Sequence, residues 1–270
     1  MKNGAQPQNG AALPTVSKPI LRAFGAYAQR YVRRHFHAIR ILRRGMVIED
    51  SKRPLVVYLN HASWWDPLTC LLLAREFFSN RTAFAPIDAP MLERYAFFRR
   101  LGFFGVEQGA VSGARGFLHR AQAILNSPQH ALWLTPQGQF RDVRERPLRL
   151  ASGLGALPVA RPDAMFVPLA IEYPFWTESR PEMLASFGEP IVPALLESRS
   201  AREWTRTFTE KLTTAQDELA AHACRREPRD WMTLGRGTSR VSWVYDAWRW
   251  LRASARGERF VAEHQPEMAR

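Results

Sequence analysis

The sequence predicts an α/β fold: a mixed, largely parallel sheet flanked by helices, with a basic amphipathic helical segment in front of it. Three observations predict it. Short apolar runs rich in strand-forming residues, Leu55-Val56-Val57-Tyr58-Leu59 and Ala131-Leu132-Trp133-Leu134 among them, alternate with longer stretches of helical period. A chain of 270 residues that is 46% hydrophobic can bury a large core. The charge is segregated: residues 1–48 hold nine Lys and Arg and no Asp or Glu, residues 49–224 hold 19 of each sign, and residues 225–270 hold ten basic and six acidic residues. These shifts divide the chain into a polar tail (1–17), a basic helical segment (18–48), an α/β domain (49–224) and a basic helical extension (225–270).

The tail is rich in Gly, Pro, Gln and Asn and is expected to be disordered; it lacks the basic-then-apolar pattern of a secretory signal. Ser17 and Pro19 make a helix start. Over residues 20–44, Ile20, Leu21, Phe24, Tyr27, Tyr31, Ile39 and Leu42 fall on one side of a helical wheel. Arg22, Arg30, Arg33, Arg40, Arg43 and Arg44 fall on the other, with Arg34, Phe36 and Ile41 as misfits. Two readings follow. The aromatic stripe lies in an anionic membrane surface, or it covers the protein's own core and the arginines are solvated. The lack of any acidic residue favours the membrane.

Residues 55–59, preceded by Pro54, read as a buried strand, and Asp66-Pro67 reads as the N-cap and first residue of a helix over 68–78. Strands are expected at 82–86, 102–106, 131–134 and 164–173, with helices over 91–100 and 109–126 between them. Pro168 argues for a bulge or an edge in its strand. Thr135-Pro136-Gln137-Gly138 is a turn, residues 141–149 form a basic loop, and 187–191 is a short strand or turn. Residues 201–224 are an amphipathic helix, 225–240 a loop, and 241–261 a last helix carrying Trp243, Trp248 and Trp250 among arginines.

Composition narrows the function. Cys70 and Cys224 make neither a disulfide framework nor a metal-ligand spacing. No apolar run reaches the roughly 20 residues that cross a bilayer. The basic ends would attract a polyanion, but no nucleic-acid-binding motif is present, and the arginines sit beside aromatic stripes rather than across a core face. No nucleic-acid partner is expected.

The chemistry gathers in Asn60-His61-Ala62-Ser63-Trp64-Trp65-Asp66-Pro67, between the 55–59 strand and the helix after it. In open α/β sheets, sites gather where strands end and helices begin. His61 and Asp66 are the only His–Asp pair at a spacing of five. Such an imidazole can take a proton from a hydroxyl while the carboxylate fixes its tautomer and stabilises the imidazolium. Read without the rest of the chain, the pair is by default two capping residues, His61 at the strand end and Asp66 at the helix start. Of the other histidines, His222 has Glu227 at the same spacing, and it reads with His35, His37, His119, His130 and His264 as surface or helix residues.

Four blocks in order carry a resemblance. Asn60-His61-x4-Asp66 resembles the first signature of the lysophosphatidic acid acyltransferase family of glycerolipid acyltransferases. Gly102-Phe103-Phe104-Gly105-Val106-Glu107-Gln108 resembles the second, Thr135-Pro136-Gln137-Gly138 the third, and Val167-Pro168-Leu169-Ala170-Ile171 the fourth. Together they span about residues 55 to 190. The resemblance implies that His61 deprotonates an acceptor hydroxyl, which attacks the thioester of an acyl-CoA or acyl carrier protein, and that Asp66 holds His61. It implies substrate-binding roles for Asn60, Gly102, Gln108, Pro136, Gln137, Gly138 and Arg141. It places a membrane-contacting helix before the first block. It calls for no metal or bound cofactor, since the thioester is a co-substrate. It implies a peripheral protein on the cytoplasmic face of a membrane.

Two positions depart from the family. Gln108 stands where an arginine usually meets the acceptor's phosphate, and Gln137 stands where glutamate is usual. An amide cannot neutralise a phosphate as a guanidinium does. The expected acceptor is therefore a lipid other than ordinary lysophosphatidic acid, unless Arg141, Arg144 or Arg149 substitutes. The alternative is an inactive acyltransferase-like accessory protein at a membrane.

Overall fold

The structure, a computed structural model, describes residues 13–45, 50–107 and 109–237. Residues 1–12 of the tail, Gln108 and the helix expected over 241–261 lie outside the described residues. In chain order the elements are α1 (Lys18–His35), β1 (Ala38–Leu42), β2 (Leu55–Leu59), α2 (Asp66–Phe77), β3 (Thr82–Asp88), α3 (Ala89–Arg94), β4 (Phe103–Val106), α4 (Val111–Ile124), β5 (His130–Leu134), α5 (Ser152–Ala160), β6 (Met165–Glu172), β7 (Met183–Phe187), α6 (Ala201–Arg225) and β8 (Trp231–Arg236). The eight strands form one mixed sheet in the order β4-β3-β5-β2-β6-β7-β1-β8. Neighbours pair in parallel except β6 with β7 and β1 with β8.

β2 is central because its sequence suits no other place. Every residue is buried, with parallel strands β5 and β6 on its two sides. Alternation divides its side chains between two cores. Leu55, Val57 and Leu59 join Leu73 and Phe78 of the α2 face. Val56 and Tyr58 join Ile124, Leu157, Phe208 and Leu212 of the α4, α5 and α6 face. α6 presents Trp204, Phe208, Leu212, Ala215, Leu219 and Ala223 at helical spacing, and a Ser200–Glu203 capping box starts it. A β-carbon on Gly155 of α5 would stand 2.1 Å from the Ala201 carbonyl, so glycine permits α5 to lie directly on α6.

Several expected elements are redrawn. The segment 20–44 is not one helix: α1 ends at His35, and β1 lies between β7 and β8 with all five residues buried. Phe36 and Ile41 misfit the wheel because they lie beyond α1, and Arg40 is a buried strand residue rather than part of a solvated face. Most of the α1 stripe is turned inward, with Ala28 and Val32 in a core cluster and Phe24 and Tyr31 packed on it; Ile20 and Tyr27 remain exposed. Residues 231–236 form a strand where a loop is expected, so the sheet extends past residue 224. α5 has no helical signature in the sequence, because two glycines and Pro158 interrupt its apolar pattern. Pro168 lies in an interior strand, not at an edge. The β6–β7 register does slip by one residue between Leu169↔Phe187 and Phe166↔Ile191, the irregularity that proline calls for.

Candidate active site

The site lies where β2 ends and α2 begins. The Asn60 amide donates to the Ile171 carbonyl at 3.0 Å and accepts the Ile171 N–H at 2.9 Å. It continues the β2–β6 ladder by one rung while the main chain turns away. Asn60 is 2% exposed. The amide is thus a structural clamp and not, as its motif position suggests, a substrate contact.

His61 is held by its backbone from the turn after β5. Its N–H donates to Gln137 Oε1 at 2.6 Å, and its carbonyl accepts from the Arg141 N–H at 2.8 Å. Gly138 makes this possible: its φ of 71° is left-handed, and its N–H closes the turn onto the Thr135 carbonyl. Pro136 is buried, and its carbonyl accepts from the Ala151 N–H. The third block therefore supports the first. Gln137 uses an amide oxygen where a carboxylate would serve equally.

His61 Nδ1 lies 2.7 Å from Asp66 Oδ2. A carboxylate only accepts, so Nδ1 carries the proton and Nε2 is left with a free lone pair. Asp66 is the first residue of α2, with Trp65 at the N-cap, and not itself the cap. Its carboxylate turns back to accept the Ser63 N–H at 3.1 Å and the Tyr173 hydroxyl at 2.9 Å, at a helix end that favours negative charge. Its side chain is 1% exposed and that of His61 19%, so the carboxylate is enclosed and the imidazole reaches solvent. The Phe140 ring stands 4.4 Å from the imidazole and is itself exposed. Among the described residues, no hydroxyl or thiol is bonded to Nε2. The nearby Cys70 thiol is pushed well above its usual pKa by burial and then by the Asp66 charge, so it remains protonated.

The remaining expected residues divide. Arg141 touches His61 through its backbone, while its guanidinium reaches Glu145 at 3.3 Å. Arg144 pairs with Asp142, and Arg146 with Asp217. Behind this loop a groove of about 270 Å³ is lined by Arg144, Arg146, Glu172 and Gln216 among others. Arg120 is spent on the Gly105 carbonyl. Gly102 is three strands from β2, at the start of β4, where its φ of 99° and the Ala83 carbonyl 2.3 Å from a built β-carbon require glycine; its role is the chain reversal, not binding. Gln108 lies outside the described residues. Tyr173, Thr69 and Phe140 also stand at the site, and no motif marks them. For Tyr173 a signal existed: it directly follows the fourth block's strand and shares Ile171's face.

Beside the site runs an aromatic seam. Trp64 and Trp65 stack at 4.2 Å, Trp65 packs on Phe36, and Tyr31, Tyr27, Phe24 and Phe97 continue the series. Trp64, Tyr27 and Phe97 are 54%, 55% and 48% exposed. Among the described residues, no helix is long and apolar enough to cross a membrane. Comparison of the chain with known protein families and with curated proteins gives no match.

Proposed function

We propose that this chain is a membrane-surface acyltransferase that moves a fatty acyl group from an acyl-CoA or acyl carrier protein thioester to a hydroxyl of a lipid acceptor. The observation that carries the reading is the 2.7 Å His61–Asp66 contact, with Nε2 on the open side of the ring. Nε2 takes the proton of the acceptor hydroxyl as its oxygen bonds to the thioester carbonyl carbon. The tetrahedral intermediate collapses, the C–S bond breaks, and the imidazolium returns the proton to the departing thiolate. Asp66 stabilises the transient imidazolium. The acceptor's own hydroxyl is the nucleophile, in keeping with an Nε2 that is bonded to no hydroxyl or thiol among the described residues. The four ordered blocks resembling glycerolipid acyltransferases support the same chemistry.

The membrane half of the proposal rests on the aromatic seam. Tyr27, Trp64 and Phe97 are exposed, and α1 also carries exposed Arg22 and Arg30, a combination of aromatic and basic side chains that suits an anionic lipid surface met from the cytoplasmic face. Trp64 belongs to the catalytic block, so a docked seam brings the reacting groups to the lipid. The acceptor differs from ordinary lysophosphatidic acid in this reading, on the strength of Gln108 alone, because Gln137 is engaged with His61.

The test is acyl transfer from labelled acyl-CoA by the purified chain on phosphatidylglycerol vesicles carrying single candidate acceptors. The expected result is transfer to one acceptor class in preference to lysophosphatidic acid, abolished by His61→Ala. Equal turnover by His61→Ala sinks the mechanism, and a preference for lysophosphatidic acid sinks the acceptor assignment.

A further inference from the structure

The proposed reaction uses His61 and Asp66, but the carboxylate is not free to choose its orientation. Tyr173 directly follows β6 and faces α2. Its hydroxyl is 2.9 Å from Asp66 Oδ1 and 2.8 Å from Thr69 Oγ1. The proton order follows from chemistry. The carboxylate can only accept, so the phenol proton goes to Asp66, and the single Thr69 hydroxyl proton goes to the phenol oxygen at 2.8 Å rather than to the Trp65 carbonyl at 3.2 Å. Tyr173 as a whole is half-buried, and its hydroxyl is engaged by Asp66 and Thr69. Burial first, then the Asp66 charge, hold its pKa well above the usual phenol range, so the donor is permanent. Thr69 is fully buried one turn along α2, and Phe36 lies 5.6 Å from the phenol ring.

We infer that Tyr173 is a positioning residue: its hydroxyl, held by Thr69, fixes the Asp66 carboxylate so that Oδ2 meets His61 Nδ1. With Oδ1 anchored by Tyr173 and the Ser63 N–H bridging both oxygens at 3.2 and 3.1 Å, rotation of the carboxylate about its bond to the β-carbon is blocked. The imidazole then meets an oxygen already aligned when it becomes charged. Catalysis gains from such preorganisation because no group has to turn in the transition state. The catalytic consequence rests on the acyltransferase reading; the geometric one does not.

Two measurements test it. Tyr173→Phe keeps the ring and removes the hydroxyl. We expect kcat for acyl transfer to fall about 10- to 100-fold, the range for a hydrogen bond to a charged group, with KM for the acyl donor unchanged. Added to Asp66→Asn, the same change should cost less than about threefold, since the carboxylate it positions is gone. Thr69→Val should give a smaller loss than Tyr173→Phe. An unchanged kcat in Tyr173→Phe, or an equal loss in the Asp66→Asn background, overturns the inference. The second measurement needs no activity. A crystal structure of Tyr173→Phe should show the Asp66 carboxylate rotated and the His61 Nδ1–Oδ2 contact longer than 2.7 Å. An unmoved carboxylate overturns the inference. Absence of acyl transfer by the unaltered chain overturns the acyltransferase reading instead, and the crystal structure then decides the role of Tyr173 alone.

Discussion

Two corners of this molecule hold an imidazole against a buried carboxylate, and they are built to opposite ends. At one, His61 meets Asp66 at 2.7 Å; at the other, His37 meets Glu182 at 2.5 Å. What differs is the far oxygen. Glu182 Oε2 accepts from the Arg40 guanidinium at 3.0 Å, and Arg40 continues to Thr233 of β8 and the face of Trp176. The far oxygen of Asp66 meets only neutral donors among the described residues, the Tyr173 hydroxyl and the Ser63 N–H. A guanidinium cancels the carboxylate's charge and makes the His37 corner a tie between strands; neutral donors orient the charge and leave it for an imidazolium. A third pair, His222 with Asp230, links the end of α6 to the turn before β8, and its partner is not the Glu227 that spacing suggests. A histidine–carboxylate contact is therefore common in this chain, and the carboxylate's other partners distinguish the pair proposed to be catalytic.

The sharpest way to break that comparison is to truncate both histidines. His61→Ala should reduce acyl transfer about 10²- to 10⁴-fold with little change in unfolding. His37→Ala should keep the rate within about threefold and lower the thermal midpoint, because Glu182 loses a donor. Next in size is Arg40→Ala, which leaves the buried Glu182 uncompensated. We expect about 3–5 kcal/mol of lost stability in urea unfolding, and a cost near zero would remove the structural role given to that corner. Asn60→Ala should cost about 2 kcal/mol, from two buried hydrogen bonds to β6, together with a loss of activity as the His61 turn drifts.

Smaller effects refine the His61 corner. Gln137→Glu should leave turnover within about threefold, since a carboxylate accepts the His61 N–H equally well, whereas Gln137→Leu orphans that N–H and should slow turnover about tenfold. The smallest effect is at Glu172, the neighbour of Tyr173 on the opposite face of β6. Its pKa is raised, first by burial and in part by Asp142, against the opposing pull of Arg144. A carboxyl raised in the folded state favours folding while protonated, and that contribution is lost as pH rises through the folded value. Glu172→Gln should therefore unfold at higher urea than the unaltered chain at neutral pH. The two curves should converge below about pH 4, where both states are protonated.

Much of this was legible in the residues. β2, β5 and β6 announce themselves because strands buried on both faces must be apolar throughout. The His61–Asp66 block stands where strand gives way to helix, and its motif order placed the Gln137 turn beside it. The illegible parts have identifiable causes. β1 hides behind α1 because Arg40 looks like a solvated helix residue until Glu182, far along the chain, compensates it. β8 is a short edge strand flanked by Pro228 and Gly237, and α5 carries two glycines and a proline. Asn60 and Gly102 sit in blocks that carry the resemblance, but one pairs with a strand and the other turns a chain. A motif names a position; only the partners of its side chain say whether that position touches a substrate.

The central claim is that the His61 corner, and not the His37 corner, performs acyl transfer. It is tested most directly by measuring kcat of His61→Ala and His37→Ala side by side, with labelled acyl-CoA and acceptor-bearing phosphatidylglycerol vesicles. The account predicts that the first variant is folded and inactive while the second is active and less stable. Undiminished turnover by folded His61→Ala, or selective loss of turnover in His37→Ala, would contradict it.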